Sequence, residues 1–155
     1  QTGCQMDLDQ LMRQVTERKY RPGAYAVEYD RFSFIYQFIA RNVERNGQHV
    51  QVVLLSMELP KDREISLERI EDSLVLLESA IVRSLRRGDV TSRFSSTQQV
   101  VVLMDASKED GVMVANRILK KYNTLAKEAA ITARFDIVEV PHPFSKRTEK
   151  NEEKA

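Results

Sequence analysis

The chain has little of several residues that define whole classes of protein. Among its 155 residues there is one cysteine, Cys4, and glycine and proline number only five and four. A lone cysteine excludes an intramolecular disulfide and a Cys-rich zinc module. The scarcity of glycine and proline excludes a collagenous or loop-rich chain. With 42% hydrophobic residues the chain can form an ordinary packed core, and its length indicates about one domain.

An excess of charge of one sign is also missing. Lysine and arginine total 24 against 23 aspartate and glutamate, which leaves a formal net charge of +1. This balance argues against a nucleic-acid binder, because such proteins carry a strong basic excess. The longest apolar run, residues 100–104, is far shorter than the roughly 18 residues that cross a bilayer, so no membrane segment is predicted.

The two ends of the chain differ in character from its middle. Near the start, one face of a helical segment collects the apolar residues Leu8, Leu11, Met12 and Val15. We interpret residues 1–20 as a helix that connects to a preceding domain, although a helix packed on its own domain fits the same pattern. Residues 142–155 are dominated by charged side chains and are predicted to form a disordered polar tail. The intervening domain is predicted over residues 21–141.

Hydrophobic periodicity in this middle region predicts helices alternating with strands. The helical spacing of apolar residues predicts three helices, over residues 29–45, 67–87 and 108–125. Short β-branched runs predict strands over residues 50–57, 90–94, 98–104 and 131–140. The second and third strands are joined by Ser95-Ser96-Thr97, a loop of hairpin length. The order βαββαβ predicts an α+β, ferredoxin-like core with a central antiparallel or mixed sheet and flanking helices.

Several segments, in this order, resemble the GGDEF domain family of diguanylate cyclases, which make cyclic di-GMP from GTP. VVLLSMELPK at 52–61 lies where that family has an apolar strand ending in D-x-D-x-F-K. RRGDVTSRFSSTQQVVVLM at 86–104 lies where it has R-x-x-D, a short spacer, G-G-D/E-E-F and a strand. ANRILKKY at 115–122 matches its A-E-R-I-R helix end. The resemblance covers about residues 29–140 and implies a cytoplasmic signalling domain of bacteria.

The residues that form the family's hairpin motif are replaced in this chain. Its two glycines, which let the backbone approach the nucleotide, correspond to Ser95 and Ser96. Their side chains intrude on that space and disfavour the turn geometry that glycine allows. The last two letters of the motif correspond to Gln98 and Gln99.

The acidic groups that hold the family's metal ions are largely missing as well. The first aspartate after the apolar strand corresponds to Ser56, and the acidic third letter of the hairpin motif corresponds to Thr97. Glu58 keeps the second acidic position after the strand. Hard divalent cations need anionic oxygen ligands, and phosphoryl transfer by this route needs the metal to offset phosphate charge.

The resemblance therefore implies a catalytically inactive GGDEF-like domain, with no catalytic residue, no metal site and no cofactor. We expect it to act as a regulatory or dimerisation module of a larger bacterial signalling protein. Its partners would be the other domains of that protein and a second copy of itself. The alternative function is that of a cyclic di-GMP receptor, and an active diguanylate cyclase is the function that this interpretation disfavours.

A second site of the family has counterparts in the sequence. Many members bind cyclic di-GMP as a feedback inhibitor through the R-x-x-D before the hairpin, helped by an arginine of the next helix. The matching residues are Arg86, Asp89 and Arg117. Guanidinium groups suit phosphate and guanine edges, and a carboxylate accepts from guanine N–H groups. The same residues also fit a structural role, with Arg86 at a helix C-terminus, Asp89 in a turn and Arg117 in solvent.

Overall fold

The computed structural model describes residues 7–17, 22–127 and 130–141. Cys4, the first six residues of the predicted N-terminal helix and the predicted tail at 142–155 lie outside these ranges. The elements follow in chain order: α1 (Leu8–Val15), β1 (Tyr25–Val27), α2 (Tyr29–Asn46), β2 (Val50–Glu58), α3 (Leu67–Ser84), β3 (Val90–Ser95), β4 (Gln98–Leu103), α4 (Lys108–Leu125) and β5 (Thr132–Val140).

The strands form one five-stranded sheet in the order β1-β3-β4-β2-β5. β4 pairs antiparallel with both β2 and β3, β2 pairs antiparallel with β5, and β1 pairs parallel with β3. The sheet is therefore mixed, and β2 and β4 lie inside it, as their solid apolar runs predict. The predicted α+β, ferredoxin-like arrangement is confirmed.

Two apolar layers cover the two faces of the sheet. Buried residues of α2, Phe32, Ile39 and Val43, pack on one face against strand residues such as Val100 and Val102. On the other face, α3 and α4 pack over a larger cluster that includes Leu55 and Val101. Because side chains of a strand alternate between faces, consecutive valines of β4 serve both layers. The predicted helices and central strands thus form the core that the apolar periodicity indicated.

The sequence prediction missed β1, which pairs Tyr25 with Val90 across to β3. Three residues are too few to show any periodicity, so this strand can be recognised only from its pairing with β3, which is distant in the sequence. Gly23, just before β1, has φ +86°, and a Cβ there would lie 2.4 Å from the carbonyl oxygen of Val82. Only glycine fits this approach of the chain to α3.

Several predicted boundaries differ from the observed ones, most by a single residue. α3 ends at Ser84 rather than at residue 87, because Asp89 accepts a hydrogen bond from the amide of Arg86 and turns the chain. β3 continues to Ser95, so the hairpin loop contains only Ser96 and Thr97. The predicted strand at 131–140 begins one residue later, at Thr132.

α1 lies on the surface and buries no residue. Asp7 caps its N-terminus in a reciprocal pair of hydrogen bonds with Gln10. Glu17, which follows the helix, forms an ion pair with Arg87 at 3.5 Å. Within the described ranges, every helix is too short or too polar to cross a bilayer.

Candidate functional site

The tip of the β3–β4 hairpin is joined to β2 by a chain of uncharged side chains. The hydroxyl of Ser95 donates to Oε1 of Gln98 at 2.9 Å, and Nε2 of Gln98 donates to Oγ of Ser56 at 3.1 Å. The main chain adds a further link, since the amide of Met57 donates to the carbonyl of Thr97 at 2.8 Å. The structure therefore brings four of the predicted motif positions, Ser56, Ser95, Thr97 and Gln98, into one neighbourhood.

The hairpin turn is made without the left-handed backbone that glycine would supply. Among non-glycine residues of the described segments, positive φ occurs only at Asp105. Ser96 and Thr97 thus form the turn with ordinary negative φ, and the amide of Thr97 donates to Oγ of Ser95 at 3.3 Å. The register shifts between Arg93 and Ser95, so Phe94 forms a bulge before the turn. The expected conflict between serine and the turn is resolved by this different turn geometry.

The side chains at this end of the sheet do not fit a divalent cation. Ser56, Thr97 and Gln98 offer neutral oxygen atoms, whereas Mg²⁺ favours carboxylates. Glu58 is directed to Arg134, with 3.3 Å between its Oε1 and the arginine Nε, and Arg134 also contacts Asp136 at 2.7 Å. No cluster of three or more metal-binding side chains occurs within residues 7–17, 22–127 and 130–141.

Gln99, the last position of the replaced motif, points to the opposite face of the sheet. It is 1% exposed, and its Nε2 has no hydrogen-bond partner in the described part of the chain. A buried amide without a partner is unfavourable. Gln99 therefore lies in the core under α3 and is separated from the Ser56–Gln98 neighbourhood by the sheet.

Arg93, near the end of β3, links this strand to α3. Its guanidinium contacts Glu71 at 2.8 Å and also pairs with Glu78. The hydrogen bond to Glu78, followed by the one to Glu71, raises the pKa of Arg93 above its usual value. The guanidinium is therefore committed to two carboxylates of α3, and it faces away from Ser56.

The second predicted site is assembled in space. Arg86 and Asp89 lie in the turn between α3 and β3, and Arg117 lies in the middle of α4. All three line one cleft of about 200 Å³. Its floor and walls are largely apolar and include Leu85, Leu103, Met113 and Val114. Apolar walls with a few converging polar groups are typical of small-molecule sites, although this cleft is smaller than the roughly 300–1,000 Å³ that such sites usually have.

Asp89 is buried in this cleft and holds the surrounding backbone. Its Oδ2 accepts from the amide of Arg86 at 3.0 Å, and its Oδ1 accepts from the amide of Met104 at 3.0 Å. Its carbonyl accepts from the amide of Tyr25 at 2.8 Å. Asp89 thus joins the end of α3, the end of β4 and the start of β1.

The two arginines of the cleft donate to backbone carbonyls. Nη2 of Arg86 donates to the carbonyl of Met104 at 2.7 Å, and Nη2 of Arg117 donates to the carbonyl of Ser84 at 2.6 Å. Arg117 therefore satisfies a carbonyl in the last turn of α3, which the helix itself leaves without a partner. Oγ of Ser84 is buried without a hydrogen-bond partner in the described part of the chain.

Sequence reasoning missed other residues of the cleft. Asp105, Asp110 and Ser84 also line it and add polar groups. Asp105 has φ 52°, a conformation that aspartate tolerates better than most residues. The sequence signal that could have indicated a turn at Asp105 is its position shortly before Ser107, the N-cap of α4.

Known protein structures share this architecture. A DGC protein from Thermotoga maritima matches with a TM-score of 0.62 and 16% identity, over 84% of this chain and 94% of that chain. The diguanylate cyclase SiaD from Pseudomonas aeruginosa, in complex with its activator SiaC, matches with a TM-score of 0.61 and 17% identity, over 79% of this chain. The match spans 50% of the SiaD chain.

The GGDEF domain of DgcB from Caulobacter crescentus, in complex with c-di-GMP, gives a TM-score of 0.56 at 11% identity, over 74% of this chain and 70% of that chain. Neither a protein-family model nor a curated protein matches the sequence. At these identities the structural likeness establishes the fold. The chain therefore has the α+β fold of GGDEF domains, as the sequence resemblance predicted.

Proposed function

We propose that this chain is a catalytically inactive GGDEF-like domain that serves as a regulatory and dimerisation module of a longer signalling protein. The observation that supports this proposal is the series of hydrogen bonds between the uncharged side chains of Ser95, Gln98 and Ser56 at the hairpin tip. In the resembled family, the matching region carries acidic metal ligands and two glycines. Here the polar groups are hydrogen-bonded to one another instead.

The charge of the region argues in the same direction. Transfer of a nucleotidyl group brings phosphate oxygens together, and catalysis depends on cations that offset their charge. Glu58 is the remaining carboxylate of the family pattern, and Arg134 already pairs with it. One paired carboxylate leaves a cation with too few anionic ligands.

Incubation with GTP and either Mg²⁺ or Mn²⁺, followed by chromatography of the nucleotides, tests this proposal. We expect no cyclic di-GMP and no pyrophosphate above a protein-free blank. SiaD with its activator SiaC provides a positive control for the assay. Formation of cyclic di-GMP that increases with the concentration of this chain would disprove the proposal.

A second candidate function is that of a cyclic di-GMP receptor. The convergence of Arg86, Asp89 and Arg117 on one cleft favours it. The guanidinium groups can turn from their backbone carbonyls to phosphate oxygens or to guanine edges. Because Asp89 already accepts two backbone amides, the arginines would supply most of the recognition.

Calorimetric titration with cyclic di-GMP decides this second candidate. A receptor should bind with a dissociation constant of about 1 µM or lower, equivalent to roughly −8 kcal/mol. Arg117→Ala should abolish the heat, whereas Arg83→Ala, on the exposed side of α3, should leave it unchanged. Absence of heat from the wild-type chain at high ligand concentration would exclude the receptor function.

A further inference from the structure

The outer face of α2 carries two phenylalanines that the fold leaves exposed. Phe34 and Phe38 are 71% and 69% exposed, and they lie one helical turn apart. They face away from Phe32 and Ile39, which pack on the sheet. Neighbouring exposed aromatic side chains are typical of protein interaction surfaces.

Two arginines extend this face toward the end of the helix. The spacing 34, 38, 41 and 45 follows alternate steps of four and three, so Arg41 and Arg45 lie on the same side as the phenylalanines. Within the described segments, neither arginine is paired with an acidic side chain. We call Phe34, Phe38, Arg41 and Arg45 the aromatic–basic face.

α1 presents a second apolar surface that the fold does not cover. Its stripe is 44% to 71% exposed and consists of Leu8, Leu11, Met12 and Val15. A helix of eight residues has little stability by itself, since isolated helices below about 12 residues are marginal. Packing of this stripe against another apolar surface would stabilise it.

The charges of the two helices indicate which way they fit. α1 has Asp9 in its first turn and Arg13 in its last turn. α2 has Asp30 in its first turn, and the two arginines of the aromatic–basic face lie toward its C-terminus, with Arg45 in the last turn. An antiparallel contact places Asp9 near Arg45 and Arg13 toward Asp30, whereas a parallel contact brings like charges together. Antiparallel helix dipoles add to this preference.

The position of α1 favours docking on this face from another molecule. The ion pair between Glu17 and Arg87 holds the end of α1 near the end of α3. α3 packs on one face of the sheet and α2 packs on the other. Within one chain, therefore, this ion pair places the end of α1 beside the C-terminal end of α3, which covers the face of the sheet opposite to α2.

We propose that two copies of this chain form a reciprocal dimer in which α1 of each copy docks antiparallel on the aromatic–basic face of the other. A two-fold axis makes both contacts identical, and the α1 stripe and the aromatic–basic face of each copy are both covered. The inference rests on the proposed function as a dimerisation module and names the surfaces that join. The aromatic pair forms the centre of each contact, and the arginines form its polar rim.

Sedimentation equilibrium of the full chain measures the dimer directly. Phe34→Ser combined with Phe38→Ser should raise the dimer dissociation constant by about 30-fold or more, as truncation of central aromatic side chains does. Leu67→Ser combined with Val75→Ser removes exposed apolar groups from α3 and should leave the constant unchanged. Circular dichroism of each variant verifies that it is folded.

Charge reversal tests the antiparallel orientation. Arg45→Glu and Asp9→Lys should each weaken the dimer, and the two together should restore it. A wild-type chain that stays monomeric at high concentration overturns the inference. It is also overturned if Leu11→Ser with Val15→Ser dissociates the dimer while the α2 variant leaves it intact, since α1 then pairs with α1. Turnover of GTP would refute the proposed inactivity and leave this dimer contact standing.

Discussion

The side-chain amide of Gln98 donates to the hydroxyl of Ser56 across the β2–β4 pair at 3.1 Å. The two residues are register partners, so the bond crosses directly between neighbouring strands. The amide oxygen of Gln98 accepts from Ser95 at the same time. The side chain of Gln98 therefore accepts from one serine and donates to another. These bonds lie at the end of the sheet where the resembled family carries acidic metal ligands.

Introducing carboxylates at this position should create a metal site. Ser56→Asp combined with Thr97→Asp places two acids beside Glu58, since the bond between Met57 and Thr97 keeps the two segments adjacent. We expect Mn²⁺ to bind with a dissociation constant of about 10⁻⁴–10⁻³ M, the range of weak oxygen-ligand sites. Electron paramagnetic resonance of free Mn²⁺ measures it. The control, Ser56→Asn with Thr97→Asn, matches the size without the charge, and equal binding by that variant would contradict the prediction.

The two glutamines of the hairpin should respond oppositely to the same substitution. Gln99→Met removes a buried amide nitrogen that lacks a partner and keeps a side chain of similar length, so we expect the free energy of unfolding to rise by about 1 kcal/mol. Gln98→Met breaks the bond to Ser56 and should lower it by about 1 kcal/mol. Urea denaturation measures both variants. A similar loss of stability in both would show that the environment of Gln99 is satisfied.

Asp89 should prove essential to the stability of the domain. Asn has one acceptor oxygen and presents its NH₂ group to an amide N–H, so Asp89→Asn leaves a buried donor unpaired. We expect a loss of about 2 kcal/mol in the free energy of unfolding. Asp105→Asn serves as the control, because asparagine readily adopts the left-handed backbone found there and the residue is exposed. Thermal or urea denaturation should show that control within about 0.5 kcal/mol of wild type.

Glu139 should titrate below its ordinary pKa. The hydrogen bond from Gln51 at 2.8 Å, followed by the contact with His49 at 3.2 Å, lowers the pKa of this carboxyl. A pKa that is lower in the folded state means that the ionised form stabilises the fold. That contribution is complete above the unfolded-state pKa and is lost as the pH falls through the folded-state pKa.

Carbon-detected NMR titration of Glu139 measures this shift. Gln51→Leu removes the largest cause and should return the pKa toward its ordinary value. Lys108→Ala removes only a weaker charge interaction and should change the pKa less. A pKa that stays the same in Gln51→Leu would show that this hydrogen bond does not govern the titration.

The sequence was sufficient to predict the elements whose signals are local. The apolar spacing in α2 and α4 and the β-branched runs in β2 and β4 gave their positions to within one or two residues. β1 was missed because its three residues are defined by their pairing with β3, which lies far along the chain. A single strand of this length has no pattern of its own to detect.

In the candidate sites, too, local contacts could be predicted from the sequence and long-range contacts could not. The turn from Arg86 to Asp89 was foreseeable from spacing, since aspartate commonly accepts from nearby backbone amides. The bond from Met104 to Asp89 and the bond from Arg117 to Ser84 join residues distant in sequence, so only the folded structure reveals them. The aspartate assigned to ligand recognition proves to hold the backbone around the cleft, while Arg117 is held by α3.

The two outermost strands also restrict how this domain can associate. β1 has only three residues, and β5 carries Arg134, Asp136 and Glu139 along its length. Short or charged edges are poor templates for strand addition, which is how natural sheets avoid joining edge to edge. Association through the sheet, and the fibrous aggregation that can follow from it, is therefore disfavoured. A dimer of this chain would therefore form through its helices.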